Sequence, residues 1–249
     1  MLILGVDIGG SGIKAAVVDT LNGVLMTSRH RIETPQPATP EAVATVLAEM
    51  VRYFNWTGVV GCGFPAVVLH GVCKTASNIS SEFIGTPIDH LFSERTGCPC
   101  FCLNDADAAG LAEMRFGEGV DQSGVVLLVT VGTGIGTAIF TEGRLLPNTE
   151  LGHLTLPNGK KAESSASDAV RKLKELNWKR GGKRINRYLT EMEALFWPDL
   201  IIIGGGISKS FDKFKEYLTP EATIKPAAFL NQAGIVGAAL CAKSKVTLD

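Results

Sequence analysis

Apolar residues along the chain change their spacing several times, and each change marks an element. Leu2 to Val6 is an apolar run of strand length that ends in a glycine turn, and Ala15 to Val18 returns as a second strand before Asn22-Gly23. Thr34-Pro-Gln-Pro-Ala-Thr-Pro40 is a loop whose last residues cap a helix, Glu41 to about Phe54, with apolar positions at helical spacing. Val59 to Gly63 predicts a strand ending at Phe64-Pro65. Cys98 to Leu103 predicts another that delivers Asn104-Asp105 at its carboxyl end, followed by an alanine-rich helix from Ala106 to Arg115.

The opening then recurs. Val125 to Thr130 is an apolar strand, Gly132-Thr-Gly-Ile-Gly136 a glycine turn, and Thr137 to Phe140 a returning strand before Glu142-Gly143. Gly5-Val-Asp-Ile-Gly-Gly and Leu128-Val-Thr-Val-Gly-Thr share one plan: apolar strand, small polar residue, glycine hairpin, strand. The repeat predicts an internally duplicated α/β protein of two lobes, 1–104 and 105–249, with a central cleft. A long helical region (Ser167 to about Phe196), the strand Leu200-Ile-Ile-Ile203 and a third glycine turn, Gly204-Gly-Gly206, follow. A small-residue helix beginning at Ala233 closes the fold. Over about 233–245 it either stays with the second lobe or packs back on the first.

Composition narrows the partners. With 24 basic against 25 acidic residues in 249, the chain is neither disordered nor globally basic, which disfavours nucleic acid and makes any polyanion site a local patch. The N-terminus reaches Asp7 with no basic segment ahead of it, and no apolar run approaches the roughly 20 residues of a membrane helix, so a cytoplasmic protein is expected. Cys98-Pro-Cys-Phe-Cys102 is the one tempting metal motif. Cysteines at alternate strand positions share a face, and zinc would need a turn to converge them; they read instead as small buried side chains.

Each glycine turn follows an apolar strand, a placement that lets backbone amides approach phosphate oxygens without a Cβ in the way. None is a Walker A loop, and the first two re-enter strands, unlike a dinucleotide fingerprint. One such turn is ordinarily a tight hairpin; three, each after a buried-type strand, point to phosphate. Asp7 suits Mg²⁺, directly or through water, with turn capping as the alternative. Lys14 either approaches a phosphate or points from its strand to solvent.

Asn104-Asp105-Ala-Asp107 stands at a strand's carboxyl end, where α/β folds place active sites. Phosphoryl transfer requires an acceptor hydroxyl that is oriented and gives its proton to a carboxylate. Asp105 suits that base and Asn104 a neighbouring sugar hydroxyl. Asp107 either points away or caps the next helix, and capping is also the alternative for Asp105. Glu150-Leu-Gly-His153 and Glu163 add groups suited to sugar hydroxyls, although His153 alone reads as a structural histidine. Between Arg171 and Arg187, Glu175 is the only acid among Arg171, Lys172, Lys174, Lys179, Arg180, Lys183, Arg184 and Arg187. This segment is either a solvated face or a track for a chain of phosphates, broken near Glu175 and Gly181-Gly182.

Together these residues resemble the ROK (repressor/open-reading-frame/kinase) family of sugar kinases. The motifs are Asp7-Ile-Gly-Gly-Ser-Gly-Ile-Lys14, Leu103-Asn-Asp-Ala-Asp107, Thr130-Val-Gly-Thr-Gly-Ile-Gly136, Glu150-Leu-Gly-His153 and Gly204-Gly-Gly206. Within that family, Thr34 to Pro40, Asn104 to Glu113, Pro147 to Glu150, Trp197-Pro-Asp199 and Ala233 to Ala239 are similar to polyphosphate glucokinases, so the resemblance spans essentially the whole chain. It implies an actin-like, ribonuclease H-like two-lobed ATPase fold. It also implies transfer of the terminal phosphoryl group of polyphosphate to the 6-hydroxyl of glucose, with Mg²⁺, in a homodimer. Asp105 is then the base, while Asn78, Asn104, Glu150, His153 and Glu163, with the Gly63-to-Ala66 loop, match glucose contacts. Asp7, Gly9, Gly10, Lys14, Thr133, Gly134, Gly205 and Gly206 match phosphate-binding turns, and Lys179, Arg180, Lys183 and Arg184 become the polyphosphate track.

ATP-dependent glucokinase activity is the alternative, because the third turn sits where the family binds adenosine. A sugar-responsive regulator is more remote, since those relatives carry an N-terminal helix-turn-helix and this chain opens on the kinase strand. A non-catalytic polyanion-binding module is opposed by Asp105. Most of the wider family carries a zinc-binding segment after Glu-x-Gly-His, whereas Leu154 to Ala166 has no cysteine, so no structural zinc is expected. Ala66 and Phe83 replace a glycine and a tryptophan that the resemblance places near the sugar, and both bear on selectivity.

Overall fold

The computed structural model describes residues 1–77 and 79–247. They fall into two compact units, Met1–Ala112 with Gln232–Asp249, and Glu113–Asn231.

The first unit runs through β1 (Leu2–Ile8), β2 (Ile13–Asp19), β3 (Val24–Leu25), β4 (His30–Ile32), α1 (Pro40–Tyr53) and β5 (Val60–Phe64). A small hairpin, β6 (Val68–Leu69) and β7 (Val72–Cys73), then α2 (Ile88–Thr96), β8 (Cys100–Asn104) and the start of α3 (Asp105–Phe116) complete this stretch. The sheet order is β3-β2-β1-β5-β8, with β4 also on β2. β1 and β2 form an antiparallel hairpin, and β5 and β8 add in parallel, so the carboxyl ends of β1, β5 and β8 lie along one edge. Ile3, Leu4, Val6 and Ile8 are all fully buried, which is why β1 reads as an unbroken apolar run instead of an alternation. Thr39 caps α1 by accepting from the Ala42 amide, and Pro40 opens the helix, where its missing N–H costs nothing.

α3 carries the chain into the second unit, which contains β9 (Val125–Val131), β10 (Ile135–Thr141), β11 (Arg144–Leu146), α4 (Glu163–Ala166), α5 (Asp168–Leu173), α6 (Trp178–Phe196), β12 (Leu200–Gly204) and β13 (Thr223–Pro226). Its sheet order is β11-β10-β9-β12-β13. The sheet again has an antiparallel seven-residue hairpin followed by two parallel strands, the plan of the first sheet.

The final helix, α7 (Ala233–Val246), belongs to the first unit. A Cβ at Gly5 would run into the Ile235 carbonyl, one at Gly61 into that of Ala238, and one at Gly237 into that of Ala108. These glycines let α7 lie on β1, β5 and α3 at backbone contact.

Several boundaries differ from the sequence expectation. The long helical region is two helices, and the break falls at Lys174–Asn177, where Glu175 has φ 49° and Asn177 caps α6. Gly181 and Gly182 do not interrupt α6: both are buried in its interior, where Cβ atoms would press on Arg171 and on Phe214 and Tyr217. Close packing, not turn formation, is the use of that pair. Cys98 lies outside the strand because Gly97, in the left-handed region, still ends α2. Among the described residues, no helix is long and apolar enough to cross a membrane.

Candidate active site

In the first unit, three chain segments meet at the carboxyl edge of the sheet. At the end of β8, Asn104 is buried and caps α3: its Oδ1 accepts from the amides of Ala106 at 2.8 Å and Asp107 at 3.2 Å. Its Nδ2 donates to the Ala66 carbonyl at 3.2 Å, tying the end of β8 to the loop after β5. Asn104 is therefore a cap of α3. An amide has two N–H donors, so one remains on Asn104 for a further acceptor. Asp105 sits half-buried in the first turn of α3, where the helix dipole favours a carboxylate. Asp107 is buried.

At the end of β1, the register sets Asp7 opposite Lys14. Lys14 Nζ lies 3.0 Å from Asp7 Oδ2, so the lysine is turned onto the carboxylate and does not extend into solvent as a strand residue alone would. Gly9 and Gly10 form the turn, closed by the Gly9 amide donating to the Gly12 carbonyl at 3.2 Å. Two connections absent from the sequence reading brace it: Thr34 Oγ1 donates to the Gly9 carbonyl, and Arg31 to the Ser11 carbonyl at 2.7 Å. A cation and a threonine downstream of a glycine hairpin carry no periodic signal; only the pairing of β4 with β2 brings them there. Ala66 and Phe83 are also buried, and the Phe83 ring packs 5.0 Å from that of Phe64, in the core. Asn78 lies outside the described residues.

The second unit brings together Glu150, His153 and Glu163. His153 Nδ1 lies 3.6 Å from Glu150 Oε2, and Nε2 lies 3.4 Å from Glu163 Oε1, so one imidazole sits between two carboxylates. Burial raises the Glu150 carboxyl above its usual range, opposed by His153 and reinforced by Glu163. The Glu-x-Gly-His spacing has a local cause: a Cβ at Gly152 would strike the Ile135 carbonyl at the start of β10. The sequence reading missed Thr137, whose buried hydroxyl donates to the Thr149 carbonyl at 2.8 Å and accepts from the Leu151 amide at 3.2 Å. It fixes the segment that carries Glu150.

The second and third glycine turns lie close together because β12 pairs with β9, with Gly204 opposite Thr130. Thr133 is exposed and Gly134 half-buried, the latter so near Glu163 that a Cβ would lie 2.8 Å from Oε2. Gly205 has φ +75°, and a Cβ there would meet the Val131 backbone at 2.6 Å, a position only glycine fills comfortably. Gly206 opens onto free space.

On α6, Lys179, Arg180 and Lys183 are exposed, and Arg184 is half-buried with Nη1 donating to the Ser165 carbonyl at 3.1 Å. At 3.6 residues per turn, these four and Arg187 fall within an arc of about 140°, opposite the buried Gly181, Gly182, Ile185, Tyr188, Leu189 and Met192. Among the described residues none of the five pairs with a carboxylate. Arg171 and Lys172 do: both bind Asp168, at 2.7 and 2.8 Å, and Arg171 also lies over the Trp178 ring at 4.0 Å. Burial tends to raise Asp168, but the hydrogen bonds from Lys172 and Arg171 outweigh it and hold the carboxyl below its usual range. The cysteines are all free, and among the described residues no group of three or more His, Cys, Asp or Glu is arranged to hold a metal ion.

The ROK family model matches residues 3–165. A polyphosphate glucokinase from Mycobacterium tuberculosis is 46% identical over 244 residues, covering 98% of this chain and 92% of that protein. An inorganic polyphosphate/ATP-glucomannokinase from Arthrobacter sp. strain KM superimposes with a TM-score of 0.92 at 44% identity, over 98% of this chain and 99% of that one. A ROK glucokinase from Streptomyces griseus, solved with glucose and AMPPNP, gives a TM-score of 0.85 at 25% identity, over 98% and 100% of the two chains. With the duplicated sheet plan, the glycine turns and the Glu-x-Gly-His segment matched by likeness over nearly the full length, this chain belongs to the ROK family of sugar kinases.

Proposed function

We propose that the protein is a polyphosphate-dependent glucokinase, moving the terminal phosphoryl group of inorganic polyphosphate to the 6-hydroxyl of glucose. The observation that carries this reading is the 46% identity to a polyphosphate glucokinase across 98% of the chain. Asp105, a half-buried carboxylate in the first turn of α3, takes the proton from the acceptor hydroxyl. Asn104 has one amide hydrogen left for the sugar, and Glu150, His153 and Glu163 supply acceptors and an imidazole for adjacent hydroxyls; Asn78 keeps its sugar role by resemblance. The glycine turns at Gly9-Gly10, Thr133-Gly134 and Gly205-Gly206 offer amides to phosphate oxygens, with Lys14 as a charge on the first. The unpaired basic face of α6, Lys179, Arg180, Lys183 and Arg184, suits a donor longer than a nucleotide.

Asp7 fits a magnesium ion, which typically takes one or two carboxylates and completes its shell with waters and substrate phosphates. When bound, such an ion neutralises charge on the phosphates. Leu154 to Ala166 offers no thiolate for a structural zinc, so metal analysis of dialysed protein should find none; one zinc per chain would overturn this. The free thiols suit a reducing cytoplasm. A homodimer is read from family likeness and is checked by sedimentation.

ATP is the second donor reading, favoured by the open space at Gly206 and by the dual-donor name of the Arthrobacter neighbour. The test is purified protein with glucose and Mg²⁺, supplied with either polyphosphate or ATP and assayed for glucose 6-phosphate. Faster product formation with polyphosphate is expected. No product from either donor would end the kinase reading, and product from ATP alone would replace the donor.

A further inference from the structure

We propose that Arg31 is a donor-binding residue: the first glycine turn holds its guanidinium in place to take a phosphate of the phosphoryl donor. This rests on the reading above that donor phosphates lie at that turn. β4 is only three residues long, and its register on β2 sets Arg31 directly opposite Lys14. Two cations facing each other across a ladder repel and cost stability unless a negative charge joins them. Asp7 joins Lys14, at 3.0 Å. Among the described residues, no carboxylate lies within ion-pair reach of Arg31. With Asp7 and Lys14 cancelling, Arg31 leaves the turn one positive charge in excess.

That charge is seated. Arg31 Nη2 donates to the Ser11 carbonyl at 2.7 Å, and a Cβ on Gly12 would lie 2.6 Å from Nε, 2.7 Å from Nη2 and 2.8 Å from Cζ. The guanidinium therefore lies flat in the space that Gly12 leaves empty. Thr34, three residues on, holds the Gly9 carbonyl from the same strap of chain. A guanidinium carries five N–H donors in a rigid fork, and the Ser11 carbonyl uses one. The others are exposed beside a glycine turn, the arrangement that grips phosphate through two parallel hydrogen bonds. A purely structural strap would show its loss in the melting temperature and in both substrates alike, whereas a donor contact shows it in donor KM alone, and that difference is measurable.

The test compares wild type, Arg31→Gln and Arg31→Lys. Glutamine loses the charge and, ending two bonds short of Nη2, also the reach to the Ser11 carbonyl; lysine keeps the charge and loses the fork. The readouts are KM for polyphosphate, ATP and glucose, kcat, the melting temperature, and the dependence of donor KM on salt. Arg31→Gln should raise donor KM at least about tenfold with glucose KM and melting temperature little changed. The salt slope should fall by about one, and Arg31→Lys should recover part of the loss. Donor KM within twofold of wild type in Arg31→Gln would overturn the proposal, as would equal rises in donor and glucose KM together with a lower melting temperature. If wild type phosphorylates glucose and Arg31→Gln keeps its donor KM, this inference alone fails. If wild type makes no glucose 6-phosphate from either donor, the underlying reading fails with it.

Discussion

Asp105 follows Asn104 in the chain, and the proposed roles of the two differ with their positions at the start of α3. The asparagine occupies the position where an amide oxygen best satisfies the first free amides of a helix, and it does so for Ala106 and Asp107. The carboxylate one residue later is the one proposed to act as the base. Asp105→Asn should lower kcat by at least about 10²-fold while glucose affinity, followed by calorimetry, stays near wild type; unchanged turnover would remove Asp105 from the mechanism. Asp168 illustrates a structural carboxylate. Its folded-state pKa is depressed by Lys172 and Arg171 against the effect of burial. Its stabilisation is therefore complete above the unfolded value near about 3.9 and is lost as pH falls below that through the folded value. Asp168→Asn should destabilise the protein at pH 7 by about 1–3 kcal/mol, measured from urea midpoints. The gap from wild type should close toward pH 2, and a gap unchanged between the two pH values would contradict the ion-pair account. Sequence alone marked Asp105 but not its relation to Asn104, because capping was read only for Asp105 and Asp107, whereas the amide oxygen of Asn104 takes that place. Thr137 and Arg31 were hidden for a different reason: each acts through strand pairing, and neither stands in a motif.

Among the elements, α6 departs most from its expected form. Gly181-Gly182 looks like a breaker in one dimension, yet helix φ/ψ are open to glycine, and the pair's missing side chains admit Arg171, Phe214 and Tyr217. The helix therefore continues, and a continuous helix carries its charges on a single face about 12 Å long from Lys179 to Arg187. Replacing Lys179, Arg180, Lys183 and Arg184 together by neutral residues should raise KM for long polyphosphate and flatten its salt dependence. KM for ATP and glucose should move little. Equal rises for ATP and polyphosphate would identify the face as a general electrostatic contributor instead of a track. β1, β9 and β12 were legible because burial on both faces produces apolar runs. β4, β11 and β13 were not, since three- and four-residue strands are too short for a period to register.

For the whole molecule, the sheet order β3-β2-β1-β5-β8 in one unit and β11-β10-β9-β12-β13 in the other explains why one motif recurs along the chain. The recurrence was readable at the two hairpins, where glycine and apolar residues alternate in the same plan, and it faded where the partner strands follow connections of unequal length. The thiols give a global probe of integrity. Cys62, Cys73, Cys98 and Cys100 are buried, while burial pushes the half-buried Cys102 up to about 12 and Cys241 up to about 11. Native protein at pH 8 should react slowly with a thiol reagent and release all six thiols only in denaturant. Three or more thiols reacting within seconds in the native state would show that this packing is wrong.

The seat of α7 against Gly5, Gly61 and Ala108 has a further consequence for the order in which the protein is made. Translation delivers Glu113–Asn231 as one uninterrupted stretch, so every residue of that unit has been synthesised before Gln232 is added. The first unit has no such freedom. Its sheet emerges early, but the backbone surface over Gly5 and Gly61 stays open to water until α7, made after the whole second unit, arrives to close it. The half made first is thus finished last, and throughout that interval a nascent chain exposes bare glycine-lined strands to whatever chaperone attends the exit tunnel.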